Sequence, residues 1–491
     1  MTGRPELPAQ PVVYEVNTRV WLRESVKTAT LADVPADLWD EITPPGTDAV
    51  WLMGVWERSP AGRAIALADP SLRTAFESAL PGVSEQDIAG SAYCIRNYTV
   101  DEALGGPEGL AVARSELAAR GVGLLLDYVP NHVAPDSPWA TEHPEYFVQG
   151  DAEDARRDPA GFLDTGKAVL ARGRDPYFAP WPDVVQLNAF APELRRATID
   201  TLTEIGRQCD GVRCDMAMLL MNDVFTRTWG SRAGPVPDTD FWPEVIEAVH
   251  RTHPRMVFAA EAYWDLESAL QRQGFDFCYD KRLYDRILHE SAASVRAHLG
   301  ADEDYQRRLV RFLENHDEPR AALTLAPDKE RAAAVLVATL PGATLWHEGQ
   351  FTGRRVHLPV FLDRRPDEAP DLALRTFHER LLAAVHGSGM RSGSWQLLAA
   401  HGWSDNDSAD GLIASCSTGP AGRFLTVVNL SGRQAQARIP LNWPELGTGS
   451  WELTGLIDDI RYERSGADLL GSGLYVDLPP WGNHLLSVAA G

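Results

Sequence analysis

Eight short runs of apolar, β-branched and aromatic residues punctuate the chain: VVYEV (12–16), DAVWLMGV (48–55), VGLLLDYV (122–129), GVRCDM (211–216), MVFAAEAY (256–263), FDFCYD (275–280), LVRFLENHD (309–317) and ATLWHEG (343–349). Each has the length and composition of a buried strand. Between most of them, apolar residues recur three and four apart, as in EGLAVARSELAARG (108–121), ELRRATIDTLTEIGRQ (193–208) and KERAAAVLVATL (329–340). That spacing marks one face of a helix. Strand alternating with helix predicts a parallel sheet. Eight such units, with no Gly-rich nucleotide loop after the early strands, predict an α/β fold closed into a (β/α)8 barrel.

Two stretches break the alternation. Residues 133–188 are rich in Pro, Asp, Gly and aromatics, as in APDSPWATEHPEYF and RGRDPYFAPWPD. A connection of that length predicts an inserted small domain after strand three. Beyond Gly389 the chain turns to GSGMRSGSWQ and then to RFLTVVNL, GSWELTG and GLYVDLPP, separated by turn residues. This texture predicts a C-terminal antiparallel β-sandwich. The expected division is a barrel from 1–132 and 189–389, an insertion at 133–188 and a β-domain at 390–491. Five tail tryptophans, Trp395, Trp403, Trp443, Trp451 and Trp481, are expected in the core of that last domain.

Charge narrows the partners. Forty-six basic against 69 acidic residues give a formal charge of −23, which repels nucleic acid and anionic membrane surfaces. The start, MTGRPELPAQ, lacks the basic-then-apolar order of a signal peptide, and no apolar run is long enough to span a bilayer. These features lead us to expect a cytoplasmic location; nothing in the sequence fixes an oligomeric state. Cys94, Cys209, Cys214, Cys278 and Cys416 lack metal-ligand spacing and read as reduced core residues.

The polar residues that matter for chemistry collect where strands run out, which in a (β/α)8 barrel is the catalytic face. DYVPNH (127–132), RCD (213–215), AAEAY (259–263) and ENHD (314–317) all end strands this way. Alternation puts Arg213 and Asp215 on one face, where the guanidinium would keep the carboxylate ionised. Glu261 follows Phe258, Ala259 and Ala260, and an acid in so apolar a setting is expected to hold its proton. One carboxylate charged and one protonated is the division of labour in glycoside cleavage. Phe312 to Glu314 are expected to run up strand seven, with Asn315, His316 and Asp317 at its mouth.

DYVPNH, GVRCDMA, FAAEAYWD and FLENHDEPR resemble, in order, the four signature segments of the α-amylase superfamily of retaining glycoside hydrolases and transglycosylases. WPDVVQLN (181–188) is similar to its fifth segment, and YCIRNY (93–98) to the segment bearing a sugar-stacking tyrosine. The resemblance spans about residues 11 to 350. It implies Asp215 as nucleophile, Glu261 as acid and base, and Asp317 as the acid that grips sugar hydroxyls. It further implies Arg213 as support for Asp215, His132 and His316 as hydroxyl ligands, and Tyr93 as a stacking platform. The implied substrates are malto-oligosaccharides, α-glucans or small α-glucosides. No cofactor is implied for the chemistry; Asn131 is a candidate ligand for a structural Ca²⁺, which some members carry and others lack.

Three departures from the family pattern bear on specificity. Met218 and Leu219 replace a Lys-His pair common in endo-acting members, which puts apolar side chains where a leaving-group contact is expected. Gly90 stands where small-substrate α-glucosidases often have Asp, and Phe351 where many relatives carry an acid. Trp181, Trp264 and Trp346 are further stacking candidates. The rival functions are a transferase, phosphorylase or isomerase using the same first half-reaction, and, more distantly, a noncatalytic sugar-binding barrel. The complete acid set argues against the latter.

Overall fold

The computed structural model describes residues 6–25, 30–447 and 449–491. The first five residues of the MTGRPELPAQ start therefore lie outside the described residues. Eight parallel strands close into a barrel: β1 Val12–Asn17, β2 Ala49–Met53, β3 Gly123–Tyr128, β4 Gly211–Cys214, β5 Val257–Ala260, β6 Phe277–Tyr279, β7 Leu309–Arg311 and β8 Ala343–His347. Closure is made where β1 pairs with β8, Val12 opposite Thr344 and Glu15 opposite His347. Strand alternation divides each side-chain row. Val13, Trp51, Leu125, Ala259, Tyr279, Val310 and Leu345 fill the barrel interior, while Val12, Tyr14, Val16 and Val212 face the surrounding helices. A sheet covered on both faces explains why the strands read as continuous apolar runs.

Strand β7 is shorter than the sequence suggested. It pairs with β6 through Val310 and with β8 through Arg311 and then leaves the ladder, so Phe312 to Glu314 lie beyond it. Two side chains drive the departure. Phe312 packs on the rings of Tyr279 and Tyr284, and Glu314 turns inward to meet Arg320.

After β3 the chain pairs His132–Val133 with Val185–Gln186 as the antiparallel base of the inserted segment, within which a three-stranded sheet forms. The helix Leu372–Ser388 ends on Gly389 in the left-handed region (φ 65°), where glycine carries no Cβ penalty. Beyond it lie β9 Ser394–Leu398, β10 Leu412–Gly419, β11 Gly422–Asn429, β12 Ala435–Ile439, β13 Ser450–Gly455, β14 Arg461–Ser465, β15 Leu474–Leu478 and β16 Asn483–Ala490. Six of these form one antiparallel sheet in the order β9-β10-β11-β16-β13-β14, and β12 pairs with β15 to make the other. Ala437, Leu425, Leu453 and Val476 share the core between them.

The helix Pro327–Thr339 is buried along nearly its whole second half. Its AAAVLVAT run belongs to a core that also contains Ile413, Phe424, Val428 and Leu485 of the C-terminal sheet. A helix apolar on all sides fits between two layers, and this one joins the β-domain to the barrel. Trp443 and Trp451 lie in the β-domain core as expected. Trp395 and Trp481 instead pack against the barrel-side core, and Trp403 is 43% exposed. The five cysteines are free and buried. Among the described residues no helix is long and apolar enough to cross a membrane.

Candidate active site

The ends of β4, β5 and β7 converge on one guanidinium. Arg213, 1% exposed, places Nη1 2.5 Å from Asp215 Oδ1, and Nη2 2.9 Å from Glu261 Oε2 and 3.6 Å from Asp317 Oδ2. Its charge is boxed by the rings of Trp51, Tyr93 and Tyr279, each between 5.2 and 5.7 Å from the guanidinium carbon. Cation–π attraction of that kind strengthens when water is excluded. Burial pulls the Arg213 pKa down, but Glu261 first and then the surrounding phenols and Asp215 outweigh it, so the cation is permanent.

Glu261 is buried and held from three sides. The Met216 N–H donates to Oε2 (2.6 Å), the Tyr263 hydroxyl donates to Oε1 (3.0 Å), and Arg213 lies beside Oε2. Met216 reaches it because its own backbone is left-handed (φ 43°), a strained state for a non-glycine residue that clusters at functional sites. Burial raises the Glu261 pKa to about 7, against the pull of Arg213 and with the help of the Asp215 and Asp317 charges. Asp317 differs. Its side chain is 40% open to the cleft, and although burial pushes its pKa up, the His316 ring and Arg213 hold it below the usual carboxylate range. Two acids a few ångströms from the same cation are thus shifted in opposite directions, Glu261 up and Asp317 down.

The remaining predicted residues surround this triad. His316 stacks on Tyr93 (17° between planes, centroids 5.2 Å apart), and its Nε2 lies 2.7 Å from the Tyr93 hydroxyl and 3.0 Å from Asp317 Oδ2. The Tyr93 hydroxyl also reaches Asp127 Oδ1 (3.3 Å), and Asp127 Oδ2 accepts from Gly54 N–H (2.9 Å). Burial lifts the Asp127 pKa to about 6, opposed by Arg213. His132 is buried at the foot of the insertion with its edge on Trp181. Burial lowers its pKa despite Asp215 nearby, which favours the neutral imidazole. Trp264, left-handed at φ 63°, meets Tyr177 of the insertion edge-on at 4.9 Å.

Some expectations do not survive. Asn131 is not arranged as a calcium ligand: its Oδ1 accepts from Gln186 Nε2 (2.8 Å), and its amide faces Gln186 Oε1 (3.3 Å). A Ca²⁺ site needs six to eight oxygens, carboxylates among them. Here an amide donor points at the candidate oxygen, and among the described residues no cluster of three or more His, Cys, Asp or Glu could hold a metal. Met218 and Leu219 are buried in the short helical turn after β4, so neither lines the leaving-group side. Trp346 is fully buried against Phe351 and His378 and presents no face to a sugar.

Three contributors escaped the sequence reading. Tyr263 could have been found, since it lies two residues after Glu261 and alternation puts both on one face. Glu15, an acid inside an apolar run, is itself a signal: it is wholly buried, with Oε1 2.5 Å from His316 Nδ1. The Glu314–Arg320 pair (2.6 Å) is also buried, and the second Glu314 oxygen accepts from Ala321 N–H.

No family model matches the chain. Among curated proteins, α-amylase MalA of Haloarcula japonica is 24% identical over 471 residues, covering 93% of this chain and 60% of its own length. Among solved structures, a maltogenic α-amylase AmyB from Thermotoga neapolitana superposes with a TM-score of 0.70 at 20% identity, covering 98% of each chain. An α-amylase from Geobacillus thermoleovorans complexed with acarbose gives 0.69 at 17% identity, covering 98% of this chain and 99% of its own. These neighbours share the fold over nearly the whole chain. The chain is thus similar in sequence to a curated α-amylase over nearly its whole length, and in fold to solved α-amylase structures. It spans 60% of the length of that curated relative.

Proposed function

We propose that the protein is a glycoside hydrolase acting on α-glucosidic bonds of malto-oligosaccharides, α-glucans or small α-glucosides, with net retention of configuration. The observation that carries this reading is the single buried guanidinium shared by Asp215, Glu261 and Asp317. In the first step an Asp215 oxygen attacks the anomeric carbon. The glycosidic C–O bond breaks, and the leaving oxygen takes the proton of Glu261. In the second, Glu261 removes a proton from water, whose oxygen displaces Asp215 and restores the free carboxylate. Arg213 orients the nucleophile through its ion pair, while Asp317 and His316 hold hydroxyls of the reacting sugar and Tyr93 offers its ring. Burial raises Glu261 into the range where it can give and regain a proton near neutrality.

A transfer reaction shares the first step and differs only in the acceptor. Asp215→Asn tests the common core: assayed against a panel of α-glucosides with chromatographic detection, with and without added sugar acceptors, it is expected to lose at least about a thousandfold in turnover. Near-parental turnover on any substrate would end this reading. Products that lengthen when acceptor is supplied to the parent would move the protein to the transferases.

A further inference from the structure

We propose that Glu15 is a positioning residue for the reaction, acting through His316: it keeps a proton on each ring nitrogen, so that Nε2 always presents an N–H to Asp317 and the sugar cleft. The kinetic part of this proposal rests on the glycosidase reading above; the protonation part does not.

Glu15 faces the barrel interior because Val13, two residues earlier on β1, does so. Its Oε1 meets His316 Nδ1 at 2.5 Å, and its Oε2 has no hydrogen-bond partner among the described residues. A carboxylate this dry is tolerable against a cation and costly against a neutral ring. If the ring were neutral with its proton on Nδ1, the bare Nε2 would turn its lone pair toward Asp317 Oδ2, 3.0 Å away. With both nitrogens protonated, Nδ1 donates to Glu15 and Nε2 to Asp317, and the Tyr93 hydroxyl is free to donate to Asp127. The chain of contacts crosses the barrel mouth from β1 to β3, and Glu15 is the member that touches no part of the cleft.

Other charged or titratable groups face the same ring. They are Asp127 from β3, His347 from β8, and Tyr93 and Asp317 from the loops, while Tyr279 of β6 acts on Glu15 and Arg213 of β4 on Asp317. His357 Nε2 donates to the His316 carbonyl (2.8 Å), away from the ring, and its charge acts on Asp317. Burial pulls the His316 pKa down, yet Asp317 and Glu15 raise it well above the ordinary value. In Glu15→Gln, one of these two carboxylates is lost with no change of shape.

The experiment uses full-length protein labelled with ¹⁵N-histidine, with the His316 signal assigned through His316→Gln, alongside kcat on maltoheptaose across pH. In the parent, His316 is expected to give imidazolium nitrogen shifts from about pH 5.5 to 8; in Glu15→Gln it should become neutral as pH rises beyond about 6.5. The parent-to-variant ratio of kcat should grow from near unity at about pH 5.5 to about tenfold or more at pH 8. A ratio that does not move with pH, or a parent ring that is neutral at pH 7 against a protonated Glu15, overturns the proposal. The parent spectra decide the protonation claim even if the variant does not fold. A parent inert on every α-glucoside would refute the glycosidase reading, and the spectra would still judge Glu15.

Discussion

At the scale of single residues, the site works by giving one cation three unequal neighbours. Asp215 touches Arg213 directly, Glu261 shares it with a backbone N–H and a phenol, and Asp317 stands farther off against His316. The consequence is measurable. In the proposed role of Glu261 as general acid, the carboxyl gives its proton to the leaving group, and burial lifts its pKa to about 7, so kcat/KM should fall as pH rises through that value. Glu261→Gln should remove this limb and lower the rate by at least about a hundredfold on substrates with poor leaving groups. A parental alkaline limb that persists in Glu261→Gln would assign it to another group. Much of this was legible from the sequence, because alternation along a strand is a local property: Arg213 with Asp215, and Glu261 after three apolar residues. Glu15 was not, since its partner lies 301 positions away and only barrel closure brings them together.

Among the elements, the loop after β7 is the one whose shape the sequence reading misjudged. FLENHD looked like a strand running to a polar tip, yet Glu314 folds back to bond Arg320, and Arg320 also donates to the Glu348 carbonyl (2.8 Å). This buried clasp ties the β7 loop to the end of β8 and fixes where His316 and Asp317 point. Removing one partner leaves a carboxylate stranded in the core, so Arg320→Met is expected to cost about 3–5 kcal/mol, seen as a lower midpoint in chemical denaturation. An unchanged midpoint would mean that His347, whose Nδ1 lies 3.2 Å from Glu314, suffices alone. The turn after β4 carries a similar lesson. Met218 and Leu219 looked like cleft residues by their place in a motif, but the left-handed Met216 turns them into the core.

For the molecule as a whole, the arrangement of barrel, inserted segment and β-sandwich followed from periodicity, because strands buried on both faces and helices with one apolar face leave plain traces. The interface between barrel and β-domain did not. Trp395 and Trp481 turned out to serve it, and Trp403 to face solvent, because a Trp in a strand-like segment does not say which of two cores its ring enters. The same limit applied to Asn131, where a motif position implied a metal and the side chain opposite turned out to be an amide. What spans all three scales is the claim that Asp215 and Glu261 cooperate in a double displacement. It is tested most directly by following the hydrolysis of maltoheptaose by ¹H NMR from the first minutes, before the products mutarotate. The account predicts that the α-anomer of the new reducing end appears first and drifts toward the equilibrium mixture. First appearance of the β-anomer would contradict it.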